Sequence, residues 1–199
     1  MPGDPGRALR LAQVLIDGPK MLNHRRGLWG YSGPAVADGE PLTVQATGIG
    51  GPSAAIVVDE LAALGARRIV RIGTCTAVDG ALALGDLVVA DRVLALDGAS
   101  RALGAEGTLV PDAALTAALE GDARGPVASA DSYAAPGDGA LAQDLQTAAV
   151  LAAAARRGVP AAAVLLVTAL PGGERLAGDE ALHAAEERLG RAGARALGA

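Results

Sequence analysis

The chain has 199 residues, a formal net charge of −5 and a single cysteine. Its length is enough for one domain with a sizeable core, so we predict a single domain over residues 1–199. The negative charge argues against general nucleic-acid binding, and one cysteine excludes an intrachain disulfide or a multi-cysteine metal site. Every apolar run is interrupted before it reaches membrane-spanning length, and the first residues lack a signal peptide's basic and apolar regions. We therefore expect a cytoplasmic protein without a membrane or nucleic-acid partner.

The first predicted element is a helix that begins after a Gly-Asp-Pro turn and runs to about Ile16. Asp4 suits the N-cap and Pro5 the first helical position, which alone would explain the turn. Helix N-termini also favour anions. Arg7 and the backbone of Gly3 are therefore a candidate anion contact.

A strand, a glycine-rich loop and a helix follow one another from residue 41. Residues 41–47 alternate as a strand does, and residues 48–53 form a loop with several glycines. The third glycine of a dinucleotide fingerprint would fall on Ser53, so we reject a Rossmann fold. Pro52 lies early in the helix that the loop opens, and Gly65 is predicted to end that helix in a left-handed conformation.

The next strand leads into a stretch that suits an anion pocket. Residues 67–70 predict a short buried strand, which together with the preceding strand and helix indicates a unit with parallel strands. Arg71 offers a fork of donors, Gly73 lets backbone approach a ligand, and Thr74 adds a hydroxyl. The sequence thus predicts an anion pocket at the carboxyl end of this strand. A surface arginine beside an ordinary turn is the alternative.

The rest of the chain predicts three further strands and three further helices. The strands are residues 86–90, 126–133 and 161–168, and the helices are residues 111–120, residues 143–157 and a stretch from about residue 179. Together with the earlier elements they predict an α/β fold with a mainly parallel or mixed sheet.

Nine short segments, in order along nearly the whole chain, resemble the nucleoside phosphorylases of the uridine and hexameric purine phosphorylase type. The segments are Gly3-Asp4-Pro5-x-Arg7, Asn23-His24-Arg25-Arg26-Gly27, Gly30-Tyr31-Ser32-Gly33, Gly48-Ile49-Gly50-Gly51-Pro52-Ser53, Arg71-Ile72-Gly73-Thr74-Cys75, Gly85-Asp86-Leu87-Val88, Leu96-Asp97-Gly98-Ala99-Ser100, Ser129-Ala130-Asp131-Ser132-Tyr133 and Asp144-Leu145-Gln146-Thr147-Ala148-Ala149. The resemblance implies a single three-layer α/β/α domain whose central mixed sheet is partly barrel-like.

The resemblance also implies a complete set of phosphate-binding residues. The matching positions are Gly3, Arg7, Arg71 and Thr74, with Arg26 contributed by a neighbouring subunit. A site shared in this way implies a homo-oligomer, either a dimer or a hexamer. Inorganic phosphate would be a co-substrate, and no cofactor or metal is implied.

The sugar and base positions depart from the family's pattern. The resemblance places Ile49, Leu145 and Gln146 at the ribose, where Gln146 replaces a glutamate whose carboxylate accepts hydrogen bonds from the sugar hydroxyls. Gln146 keeps an acceptor oxygen without the charge, so we expect weaker ribose binding. The acid that protonates the leaving base in the purine branch falls on Ala169, so no catalytic acid is predicted.

The expected base contacts are Cys75, Thr76 and Tyr133. Thr76 replaces a glycine and would narrow the base pocket, and Cys75 is expected to be a small buried residue rather than a nucleophile. Tyr133 could stack on the base, although a core or rim position is the alternative. The pyrimidine branch holds its base with a Gln-x-Arg pair after this tyrosine, and residues 134–139 lack that pair.

Three functions remain open from the sequence. The first is phosphorolysis of a nucleoside to a free base and ribose 1-phosphate, with pyrimidine nucleosides slightly favoured over purine nucleosides. The second is a catalytically impaired relative that binds phosphate or a ribosylated ligand. The third, an N-ribosyl hydrolase, is disfavoured because a water nucleophile has no use for the phosphate-binding arginines.

Overall fold

A computed structural model describes residues 1–78, 80–133 and 139–198, which form six α-helices and nine strands. The helices are α1 (Pro5–Leu15), α2 (Gly51–Ala63), α3 (Gly98–Ala102), α4 (Ala113–Ala118), α5 (Thr147–Arg156) and α6 (Asp179–Leu197). The strands are β1 (Lys20–Asn23), β2 (Gly30–Pro34), β3 (Pro41–Gln45), β4 (Ile69–Ala77), β5 (Leu87–Ala95), β6 (Thr108–Leu109), β7 (Ala123–Ser129), β8 (Ala142–Asp144) and β9 (Ala161–Ala169).

The strands form two sheets, of which the larger closes on itself. Strands β1, β2 and β3 make a small antiparallel sheet. The larger sheet has the order β6-β5-β7-β8-β4-β9, and a further antiparallel pairing of β5 with β9 joins five of these strands into a ring. Pairs β4–β9 and β5–β7 are parallel, whereas β4–β8 is antiparallel. The predicted mixed, partly barrel-like sheet is therefore confirmed.

Helices cover both faces of this sheet, as the three-layer prediction requires. Helices α2, α3 and α5 pack against one another, and α6 packs against both α1 and α4. Alternate residues of β9 belong to two different core clusters: Ala163 and Leu165 pack with the α2 and α5 side, and Val164 and Leu166 with the α1 and α6 side. Because both faces are buried, β9 is apolar throughout rather than alternating.

The predicted start of α1 and the predicted end of α2 are confirmed by their local geometry. The Asp4 side chain accepts a hydrogen bond from the Arg7 backbone nitrogen at 2.6 Å, which caps α1, and Pro5 is its first residue. Gly65 follows α2 with φ +95°, and Gly158 follows α5 with φ +66°. Both glycines adopt the left-handed region that a side chain would disfavour.

The structure corrects the predicted strand neighbours and several boundaries. Strands β3 and β4 are not paired, because residues 1–3 lie between them: Ile72 N donates to Met1 O, and Gly48 N donates to Gly3 O. The predicted helix from residue 143 begins only with α5, since β8 occupies its first residues. Among the described residues, no helix is both long and apolar enough to cross a membrane.

Candidate functional site

One cavity of about 650 Å³ brings together most of the residues that the sequence singled out. Its lining includes all five predicted phosphate residues, Gly3, Arg7, Arg26, Arg71 and Thr74. It also includes the three predicted ribose residues and Tyr133. Residues from six separate parts of the chain therefore converge on one concave surface, as expected of a ligand site.

Arg71 lies inside strand β4 rather than after it, which corrects the predicted strand end. Only 3% of the residue is exposed, so the surface-arginine alternative is wrong. Its Nε and Nη2 donate to Asp144 Oδ2 at 3.1 and 2.8 Å, and its Nε also donates to Thr147 Oγ1 at 3.1 Å. A Cβ on Gly73 would come within 2.5 Å of Arg71 Nη2. The glycine is therefore needed because the guanidinium folds over its backbone.

Asp144 is the counter-charge that keeps this buried arginine in place. The carboxylate is fully buried and also accepts hydrogen bonds from the Thr147 backbone and hydroxyl and from the Ser129 hydroxyl. A buried ion pair is tolerated only when further hydrogen bonds satisfy its remaining atoms. Arg71 meets this condition and keeps one N–H on each terminal nitrogen without a partner among the described residues.

Arg7 is held in a similar way by a carboxylate from the other end of the chain. Its side chain is 9% exposed, and its Nε donates to Glu186 Oε1 at 2.8 Å. The other oxygen of Glu186 bonds to Arg10 Nη2. Helix α6 thus fixes an arginine of α1 that lines the cavity, and the hydrogen bond to Glu186 uses only its Nε.

Arg26 differs from the other two arginines in exposure and backbone. It lies in a short 3₁₀ turn, Arg25–Gly27, with φ +56°, the only positive φ of a non-glycine residue in the described ranges. Such conformations cost about 1–3 kcal/mol and are frequent at ligand sites. Arg26 lines the cavity of its own chain, and its contribution across a subunit interface stays a prediction.

The loop before α2 and Gln146 meet on the side of the cavity next to Arg71. Gly48 and Gly50 have φ of +72° and +83°, so both favour glycine. Gln146 Nε2 donates to their carbonyl oxygens at 2.8 and 3.2 Å, while its Oε1 accepts from Arg71 Nη1 at 2.7 Å. Ile49, between the two glycines, is 85% exposed at the cavity.

The predicted base residues are only partly brought together. Tyr133 lines the cavity and is about half exposed, and burial, with a smaller contribution from Asp144, raises the pKa of its hydroxyl. Cys75 is not among the lining residues; it is buried in the core, where desolvation and Asp144 raise the pKa of its thiol. Thr76 and Ala169 face each other across β4 and β9 and also lie outside the lining. Residues 134–138, where the Gln-x-Arg pair was sought, are outside the described residues.

Two carboxylates at this site carry roles that the sequence did not predict. Asp144 belongs to the ninth family-like segment but is given no role by the sequence, and Glu186 lies outside all nine segments. A buried arginine needs a carboxylate as counter-charge. This requirement is the one reason available from the sequence to look for acidic partners such as Asp144 and Glu186. Among the described residues, no group of three His, Cys, Asp or Glu side chains could hold a metal ion.

Comparison with known proteins gives consistent matches. Residues 1–198 match the family model described as the phosphorylase superfamily. A uridine phosphorylase of Haemophilus influenzae is 43% identical over 100 residues, which is 50% of this chain and 38% of that relative's length. A guanosine phosphorylase of Halorubrum lacusprofundi is 34% identical over 186 residues, covering 84% of this chain and 76% of the relative.

The fold has a close counterpart among solved structures. The uridine phosphorylase of Vibrio fischeri ES114 superposes with a TM-score of 0.84 at 25% sequence identity. The superposition covers 98% of this chain and 88% of that structure.

Proposed function

The chain belongs to the phosphorylase superfamily, and on that premise we propose that it catalyses phosphorolysis of a nucleoside. The products are a free base and ribose or 2-deoxyribose 1-phosphate. The observation that carries the proposal is the convergence of Gly3, Arg7, Arg26, Arg71 and Thr74 on one cavity. Three arginines and a hydroxyl are a set of donors suited to a phosphate rather than to a water nucleophile.

In this reaction the arrangement of donors matters more than their number. A phosphate oxygen attacks the anomeric carbon, the bond from that carbon to the base breaks, and the base takes the electron pair and later a proton. The transition state is stabilised by donors that are fixed before the reaction. Asp144 fixes Arg71 and Glu186 fixes Arg7, each through hydrogen bonds at 2.8 Å.

The remaining assignments combine what the family resemblance implies with the position of these residues in the cavity lining. We assign Ile49, Leu145 and Gln146 to the sugar and Tyr133 to one face of the base, all of them lining residues. A pyrimidine base is slightly favoured, because Ala169 offers no acid of the kind that the purine branch uses. The similarity to a guanosine phosphorylase makes purine nucleosides the necessary comparison.

The proposal extends to the setting of the reaction. Inorganic phosphate is the co-substrate, and no cofactor is included. The enzyme is a cytoplasmic homo-oligomer, a dimer or a hexamer, in which residues 1–199 form one domain and Arg26 contributes to the site of a neighbouring subunit. Light scattering of the purified protein tests the oligomeric state, and cell fractionation tests the cytoplasmic location.

The experiment is base release from a panel of pyrimidine and purine nucleosides, with and without phosphate. We expect release only with phosphate, and activity that is unchanged without phosphate would contradict the proposal. Arg26→Met should raise the KM for phosphate about tenfold, because a hydrogen bond to a charged group contributes about 1.5 kcal/mol or more. Arg25→Met is the matched control, since Arg25 is the exposed neighbour that does not line the cavity.

A second function is favoured by the hydrogen bonds of Gln146. Its amide is engaged by Arg71 and by backbone carbonyls rather than left open toward a sugar. The second candidate is accordingly an impaired relative that binds phosphate or a ribosylated ligand without turning it over. Calorimetric binding of phosphate with no turnover on any nucleoside of the panel would favour it over the first.

A further inference from the structure

Ser129 is a fully buried residue that does not line the cavity but hydrogen-bonds to the carboxylate that holds Arg71. It is the last residue of β7 and lies in register with Asp144 of β8. Its hydroxyl donates its one proton to Asp144 Oδ1 and accepts from Ala148 N at 2.9 Å. Ala148 lies in the first turn of α5, and the N-cap residue of this helix provides no side-chain hydrogen bond. Ser129 therefore joins the ends of two strands to the start of α5.

The two oxygens of the Asp144 carboxylate have different partners. Oδ2 accepts from both Nε and Nη2 of Arg71, and also from the Thr147 hydroxyl at 2.7 Å. The Thr147 backbone nitrogen lies 3.1 Å from both oxygens. Among the described residues, the Ser129 hydroxyl is therefore the one partner of Oδ1 that Oδ2 does not share.

This arrangement makes the direction of the Arg71 guanidinium depend on Ser129. An arginine and a carboxylate often pair as a fork, in which each oxygen accepts one N–H, but here both N–H groups meet a single oxygen. Without the serine hydroxyl, the carboxylate could turn until both of its oxygens face the guanidinium. That turn would shift the two terminal nitrogens, each of which keeps one N–H without a partner among the described residues.

We propose that Ser129 is a positioning residue of the phosphate site, which acts through Asp144 to orient Arg71. The inference rests on the proposed function only in that phosphate binds at Arg71, and it does not require turnover. Donors that are fixed in direction before binding stabilise a charged ligand without a cost of reorganisation. At metal sites the loss of a supporting hydrogen bond of this kind costs about tenfold or more in affinity. We expect a similar loss of phosphate affinity when the Ser129 hydroxyl is removed.

Calorimetric titration with inorganic phosphate compares the wild type with Ser129→Ala and Ser100→Ala. Ser100 is the matched control, because it is equally buried and its hydroxyl donates to the buried Asp97 at 2.5 Å, while neither residue lines the cavity. Ser129→Ala should weaken phosphate binding about tenfold, and Ser100→Ala should leave it unchanged. Equal losses in the two variants, unchanged affinity in Ser129→Ala or no phosphate binding by the wild type overturns the inference. A wild type that binds phosphate but turns over no nucleoside contradicts only the proposed function.

Two further variants separate a positioning role from general support of the fold. Ser129→Thr keeps the hydroxyl and should keep the wild-type phosphate affinity, even where its extra methyl group lowers the stability of this buried position. Ser129→Cys has a side chain of similar size but only a weak donor. It should lose phosphate affinity as Ser129→Ala does, and it replaces that variant if the alanine protein does not fold. A loss in Ser129→Thr as large as that in Ser129→Ala overturns the inference, because the hydroxyl would then not be the cause.

Discussion

Replacing Glu186 with leucine would remove the carboxylate that two arginines of helix α1 share. Glu186 is 3% exposed at its side chain, and Arg7, its partner at 2.8 Å, is 9% exposed. Without Glu186 the Arg7 guanidinium would remain buried and lack a counter-charge. Arg10, the second partner, is 38% exposed and can be hydrated instead. The stability loss should therefore come mainly from Arg7.

The magnitude follows from this difference in exposure. Removing one partner of a buried ion pair costs about 3–5 kcal/mol, whereas an ion pair to a partly exposed arginine contributes about 1 kcal/mol or less. We expect the free energy of unfolding to fall by about 4 kcal/mol in Glu186→Leu. For a chain of this size, each kcal/mol lowers the unfolding midpoint by about 2–4 °C. The midpoint should thus fall by roughly 8–16 °C.

Urea titration in the absence of phosphate measures this loss of stability. The slope of the free energy of unfolding against urea concentration should be the same in the wild type and the variant. The matched control is Glu187→Leu on the same helix. Glu187 is about half exposed and bonds only to Arg191 one turn away among the described residues. Its replacement should change stability by about 0.5 kcal/mol or less. A control loss as large as that of Glu186→Leu would show that burial of the ion pair is not the cause.

The double variant Arg7→Met/Glu186→Leu tests the same reasoning more strictly. Replacing both partners of a buried ion pair by apolar side chains is often neutral or stabilising. The double variant should therefore be more stable than Glu186→Leu alone, despite carrying one more substitution. The two substitutions should not have additive effects on stability, because Arg7 and Glu186 are in direct contact. A loss of stability in the double variant that equals the sum of the two single losses would refute the interpretation.

Two other changes test contacts beside and away from the cavity. Gly73→Ala would place a methyl group 2.5 Å from Arg71 Nη2 and displace the guanidinium. Calorimetry should therefore find weaker phosphate binding, and urea titration should find a free energy of unfolding lower by about 1–3 kcal/mol. Unchanged phosphate affinity would contradict this packing. The Asp122 carboxylate accepts from Leu87 N and from Arg188, and these bonds lower its pKa below the ordinary 3.8. A carboxyl whose pKa is lower in the folded than in the unfolded protein stabilises the fold at pH values above the unfolded-state pKa. The small stability advantage of the wild type over Asp122→Asn should therefore be complete near neutral pH. It should disappear as the pH falls below 3.8, and an advantage that persists in stronger acid would refute the assignment.

The order of the motifs along the sequence was enough to predict the residues of the cavity. The carboxylates that fix its arginines could not be predicted in this way. Arg7 and Glu186 are separated by 179 residues, and Arg71 and Asp144 by 73 residues. No local spacing connects such pairs; only the fold brings them together. Burial of an arginine requires some carboxylate, but the sequence has 22 acidic residues and does not indicate which one serves.

The extent of β4 shows why a local pattern was misread. Gly73 and the two threonines in residues 71–77 are typical of a loop, so the strand was predicted to end before them. Thr74 and Thr76 are half-buried while Cys75 and Ala77 are buried, an alternation that belongs to a strand. The glycine is present because the Arg71 side chain crosses it, which is a tertiary requirement rather than a turn.

The charge of the cavity depends mainly on its most exposed arginine. Arg7 and Arg71 enter the cavity already paired with Glu186 and Asp144, so each contributes directed donors rather than an unbalanced charge. Arg26 has no ion pair among the described residues, and the one lining carboxylate that opposes its charge is the exposed side chain of Asp4. Attraction of a phosphate from solution should therefore rest on Arg26, while its orientation rests on the two buried arginines. Because an exposed charge is screened by salt, phosphate affinity should fall with ionic strength in the wild type and much less in Arg26→Met.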